Sequence, residues 1–314
     1  MPKQYILKKN IIESACVVAA ITLMVLASEL FGEREIIFPE IAALSIGCFL
    51  PKRLVWKTDY LRMIICIEVC AILGVCIVCF VPIPLWLQIA LAFAVGQIVF
   101  MLSGTSLAPM ISAIVLPVML QTRGLVYPVA ALILTAFIAA IRIALEKCAV
   151  KECNDYRPAP KPQATDWLAF IYRTALVLIF SFLCVRMNSK FSIAPPLLVA
   201  FTELCKPDCP AGKKKPQVVL LVSLCAAIGA MARFVLVMNL GFSYTAAAMV
   251  IGILIVVLIR AFKLYFPPAG AMAVLALLIP DNAVLMYPLE VCGGIIVLAL
   301  CAELWVKKTF CNKR

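Results

Sequence analysis

Residues 15–30 read ACVVAAITLMVLASEL and residues 218–232 read VVLLVSLCAAIGAMA, and runs of this kind recur along the whole chain. They constrain the fold more than any other feature. About 20 apolar residues in a helix span roughly 30 Å of hydrocarbon. Within hydrocarbon every backbone N–H and C=O must be satisfied by the protein itself, which favours helices. Composition agrees: of 314 residues, 65% are hydrophobic and only 14% charged, against roughly half and a quarter in soluble domains. The expected fold class is an all-α polytopic membrane protein with almost no extramembrane domain.

By length and hydropathy, membrane segments are expected at 11–30, 35–50, 61–80, 84–103, 105–120 and 125–147. After a polar linker they follow at 167–187, 191–205, 217–238, 243–264, 266–280 and 286–306. This makes about twelve segments. The linker KECNDYRPAPKPQATD, 151–166, separates a first membrane repeat, 1–150, from a second, 167–314, and its prolines and charges suit an exposed connection. The first segment is longer than a signal-peptide core and lacks a small-x-small cleavage site, so it reads as a retained helix.

The halves resemble each other. Tyr127 in LVYPVAALIL and Tyr287 in LMYPLEVCGG lie 160 positions apart. Pro109 in APMISAIVL and Pro268 in PPAGAMAVL lie 159 apart, and Pro39 and Pro195 lie 156 apart. Three matches in one order point to a duplication. Basic residues collect in alternate loops: Lys3, Lys8, Lys9; Lys52, Arg53, Lys57; Lys151, Arg157, Lys161; Lys206, Lys213, Lys214, Lys215; Lys307, Lys308, Lys313, Arg314. The intervening loops hold Arg34, Arg123 and Lys190, with Arg186 at a boundary. The positive-inside rule then places both termini and the linker in the cytoplasm, in a cell or inner membrane. Six crossings per half make the repeats parallel. The formal net charge of +12 follows from this topology, and no nucleic-acid partner is expected.

Some segments are short. FPPAGAMAVLALLIP, 266–280, has fifteen residues, roughly 22 Å of helix, less than the hydrocarbon core. FSIAPPLLVAFTELC, 191–205, has the same length and the same paired prolines. Short, proline-headed helices at matching places in two repeats mark a transport site. Their first N–H groups and dipoles offer a partly positive pole. Pro39, Pro109, Pro195, Pro196, Pro267, Pro268 and Gly270 are the candidate substrate-binding positions on this ground.

LYFPPAGAMAVLALL also resembles the signature of the HPP family of membrane proteins, with Pro267, Pro268, Ala269, Gly270 and Ala271 matching and Phe266 in place of the family's histidine. The basic loop CKPDCPAGKKKPQ and the small-residue stretch CAAIGAMA extend the likeness over 191–280. The resemblance implies transport of a small, nitrite-like anion. A second, weaker resemblance is to aromatic-acid exporters of the fusaric-acid-resistance type, which implies export of aromatic or organic acids.

Ionisable groups inside apolar segments default to functional candidates. Glu68, in IICIEVCAIL, and Arg233, in IGAMARFVLV, are the leading ones, either at the solute site or paired with a charge; Glu68 is the candidate for proton coupling. Arg142, Arg173 and Arg260 are expected to snorkel to the surface, and Glu203 to be solvated beside the basic loop. Gln88 and Gln97 either line a cavity or bond neighbouring helices. The chain has no histidine and no metalloprotease, nucleophile-elbow or P-loop motif, so neither an enzyme, a cofactor nor a metal is expected. Most of its fifteen cysteines read as packing residues; Cys205 and Cys209 flank a loop and are the pair placed to bridge or bind metal. The expected partners are membrane lipid and a small-molecule or ion substrate, with a homo-oligomer as a further possibility. A non-transporting scaffold or partner subunit is the rival class.

Overall fold

The computed structural model describes residues 3–159 and 161–311; Lys313 and Arg314, counted above among the basic loop residues, lie outside them. Among the described residues there are helices and turns and no strand. In chain order the helices are α1 (Lys3–Phe31), α2 (Glu40–Phe49), α3 (Tyr60–Phe80), α4 (Leu85–Leu102), α5 (Pro109–Leu120) and α6 (Val126–Lys147), then α7 (Ala164–Arg186), α8 (Pro195–Leu204), α9 (Lys215–Ala232), α10 (Tyr244–Phe262), α11 (Pro267–Leu275) and α12 (Tyr287–Val306). A π-helical stretch, Arg233–Asn239, continues α9. Eight of these helical segments are long and apolar enough to cross a membrane. Leu61, Ile65, Val69 and Ile72 of α3 are exposed at helical spacing. Such a face is at home in lipid and would be an aggregation surface in water. The chain is an all-helical, polytopic membrane protein.

Local chemistry sets the boundaries. Asp59 accepts the Arg62 N–H at 2.7 Å and starts α3; Ser243 accepts the Ala246 N–H at 3.1 Å and starts α10. Gln163 and Asp166 form a reciprocal cap, so α7 begins inside the stretch expected to be linker. The short helices are shorter than the sequence suggested: α2 and α8 have ten residues, α11 nine and α5 twelve. Proline at or just before the first turn keeps the upstream chain out of the helix. That chain becomes 3-10 turns at Arg34–Ile36 and Lys190–Ile193.

The short helices fill the centre. Every residue of α2, α8 and α11 is buried, and every residue of α5 except Leu120. α3 packs on α5 and α9 on α11; α1 packs on α10 and α4 on α7; α2 packs on α11 and α5 on α8. A Cβ on Gly74 would overlap the Ile114 carbonyl of α5, and one on Gly229 the Ala273 carbonyl of α11; glycine lets each long helix touch a short one. The Tyr127 hydroxyl donates to the Ala113 carbonyl at 2.9 Å and the Tyr287 hydroxyl to the Met272 carbonyl at 2.6 Å. Phe38 meets the Tyr127 ring and Phe191 the Tyr287 ring edge-on, both at 5.6 Å.

The linker is tied to one end of the bundle. Lys151 donates to Glu13 at 2.6 Å and to the Pro51 carbonyl at 2.9 Å. Burial holds the Lys151 ammonium below its ordinary value despite the Glu13 carboxylate beside it. Arg260 bonds the Asn10 carbonyl at 2.9 Å at this end. Arg142 does not snorkel: it is wholly buried and donates to the carbonyls of Cys48, Lys52 and Glu152 and to the Glu146 carboxylate. Carbonyls at a helix C-terminus lack intrahelical donors, and Arg142 supplies one to α2. Arg173 is likewise buried, at 5% exposure. Glu203 is buried rather than solvated, accepting from the Trp56 indole at 3.0 Å. Gln97 bonds Thr174 of α7 at 3.2 Å, and Gln88 bonds the Val81 carbonyl at 2.8 Å and Gln121.

Candidate functional site

Pro39 precedes α2, Pro109 opens α5, Pro195 and Pro196 open α8, and Pro267 and Pro268 open α11. The predicted prolines thus do begin short helices, and all of them are buried. α2 runs toward the linker end, since its last turn meets Arg142 and the following carbonyls meet Lys151. α5 runs away from that end, since Ser106, before it, bonds Lys57. Yet Ser112, in the first turn of α5, donates to Glu40, the first residue of α2. Two oppositely directed helices therefore start side by side inside the bundle. Short helices meeting in this way are the geometry that places helix poles at depth.

Glu40 is 1% exposed. One carboxyl oxygen takes the Ser112 bond, and the other, Oε2, has no hydrogen-bond partner. No cation pairs with Glu40 among the described residues. The Tyr127 hydroxyl lies within electrostatic reach of Glu40 and of Glu68. Glu68 itself is half-buried on α3, also with one buried carboxyl oxygen unpartnered. Sequence reasoning named Glu68 and Pro39 and passed over Glu40. The signal was present: an acidic residue directly after proline in the otherwise apolar stretch FPEIAAL.

Of the two readings open to Arg233, a place at the solute site or a pairing with another charge, its contacts fit the second, with a partner other than Glu68. Arg233 is wholly buried and donates to the carbonyls of Ala276, at 2.8 Å, and Ile279, and to Asp281. It serves the C-terminal end of α11, where cations are favoured by the dipole. At α8 and α11 the first N–H groups are also taken. Pro195 and Pro196 have no N–H, and the Leu197 and Leu198 N–H groups both bond the Ala194 carbonyl, at 2.8 and 3.3 Å. The Ala269 N–H after Pro268 bonds the Phe266 carbonyl at 3.1 Å. Gly270 packs against Ile46 and Ala42 of α2, so its absent side chain serves helix contact.

At the end opposite the linker, a cleft of about 480 Å³ opens between the 187–191 turn and the start of α12, lined in part by Asn188, Ser189, Lys190, Asn282 and Glu290. Glu290 accepts the Phe191 N–H at 2.9 Å at its floor. Cys205 and Cys209 are free thiols, and no cluster of metal-ligating side chains occurs among the described residues. No family model, no curated protein and no solved structure matches this chain.

Proposed function

We propose that the protein is a transporter that moves a small solute between two parallel six-helix repeats in a cell membrane, with both termini and the linker cytoplasmic. The observation that carries the reading is the quartet of short helices, buried throughout except at Leu120, two of which, running in opposite directions, begin beside each other within the bundle. A bundle that only filled a membrane would need no interrupted helices at its centre. The duplication is supported by packing that is unchanged when the halves are exchanged: α1 on α10 and α7 on α4, α2 on α11 and α8 on α5. Tyr127 and Tyr287 make the same bond in each half, and Gly74 and Gly229 the same close approach. The cleft beside Lys190 and Glu290 is the entrance on the outer side.

The sign of the solute follows less directly. The resemblance to HPP proteins through Pro267, Pro268 and Gly270 suggests a nitrite-like anion, but Arg233 and the first N–H groups of α8 and α11 are already engaged. Purified protein in proteoliposomes should release nitrite, an aromatic acid such as benzoate, or a neutral solute such as urea faster than protein-free vesicles do. Nitrite release alone supports the anion reading, and benzoate release the exporter reading. Flux equal to that of empty vesicles for all three, together with sodium and potassium, overturns transport and leaves a membrane scaffold.

A further inference from the structure

Glu40 is a carboxyl group buried at the junction of two short helices, with no cation beside it and one oxygen unbonded. An ionised carboxylate without a counter-ion in such surroundings is strongly disfavoured; the group neutralises itself instead. Resting on the transport reading, we propose that Glu40 is the protein's proton-binding site and that its proton is exchanged as the solute crosses.

The neighbours fit this role. Ser112 donates to one carboxyl oxygen and orients the group in either protonation state. The starts of α2 and α5 meet there, and their partial positive charge eases release of the proton once water reaches the site. Of the helices packed on α2, α5 and α11 carry no ionisable side chain. α6 brings Tyr127 near Glu40, while its Arg142 and Glu146 sit at the opposite end of α2. α1 brings Glu13 and Cys16, grouped with Lys151 at that opposite end, and Glu29, which bonds the Tyr244 and Thr245 N–H groups. From α3, Glu68 and Cys70 lie within electrostatic reach of Tyr127. None of the groups nearest Glu40 is a cation. The second half has Pro196 where the repeat alignment places Glu40, so it carries no carboxyl at that position.

Infrared difference spectroscopy of the purified full chain tests this without any solute. The wild type at neutral pH should show the carbonyl stretch of a protonated carboxyl, shifted in heavy water. Glu40→Gln should remove that band, Glu68→Gln should leave it, and Ser112→Ala should move its frequency without abolishing it. If Glu40→Gln does not fold, loss of the Ser112→Ala frequency shift on raising the pH identifies the same group. Loss of an ionised-carboxylate band in Glu40→Gln would overturn the proposal, as would disappearance of the protonated band on adding sodium at constant pH. A vesicle assay with a lumenal pH dye adds the coupling arm, using whichever of nitrite, benzoate or urea the wild type releases. Proton movement per solute released should be measurable in the wild type and absent in Glu40→Gln. Equal proton movement in both proteins would overturn the coupling. Absence of flux for every solute would overturn the transport reading while the infrared result still decides whether Glu40 holds a proton.

Discussion

Arg233 is the clearest case of a residue whose presence was readable and whose task was not. An arginine in an apolar run must have partners, and that much is legible from IGAMARFVLV. Its partners are the Ala276 and Ile279 carbonyls and Asp281, more than forty positions downstream, and nothing local announces them. Arg233→Gln should therefore lower stability by about 2–3 kcal/mol, the scale of lost charged hydrogen bonds to buried carbonyls, read as a lower midpoint of thermal unfolding in detergent. Solute preference should stay unchanged; a switched preference with unchanged stability would restore Arg233 to the solute path. Arg142 repeats the pattern at the end of α2. In both, the chain places guanidinium groups where short helices end, because those ends fall inside the protein and their carbonyls have no water to meet. Glu40 is legible by the same rule that singles out Glu68, an acid within an apolar run, here directly after Pro39.

At the scale of elements, the long helices were readable from hydropathy alone, because lipid on one side and protein on the other both accept apolar residues. The short helices were readable as short but not to their ends. Apolar content continues through the 3-10 turn Lys190–Ile193 and past Leu275, so only the prolines marked where α-helix begins. Which face of a helix touches another was not legible at all, since the outward and inward faces are equally apolar. Two adjacent glycines show this. On α12, a Cβ at Gly294 would overlap the Ser192 carbonyl and approach Leu197, whereas one at Gly293 meets nothing within 4 Å. Gly294→Ala should cost about 1–3 kcal/mol through overpacking. Gly293→Ala should be neutral or stabilise by up to ~1 kcal/mol through helix propensity. Paired unfolding curves in one detergent compare the two, and equal losses would mean that α12 packs in another register.

For the whole molecule, the loop charges and the three repeated motifs carried most of what sequence offered, and they are directly checkable with native thiols. Cys79 is exposed at the end of α3 opposite the linker, and Cys148 and Cys153 are exposed at the linker end. In intact cells an impermeant maleimide should label Cys79 and spare Cys148 and Cys153 until the membrane is opened, as mapped by peptide mass spectrometry. The reverse pattern would invert the proposed orientation. The exchange of partners between halves has a further consequence, for how the chain is made. α2 is buried by α11, α5 by α8, α1 by α10 and α4 by α7. When the ribosome has delivered only the first half, none of these four contacts has formed. The nascent chain must wait in the membrane, with the faces of α2 and α5 that later meet α11 and α8 turned to lipid or a chaperone, until synthesis of the second half covers them. A message truncated at the linker would yield an orphan that either joins a second copy of itself or becomes prey for membrane proteases.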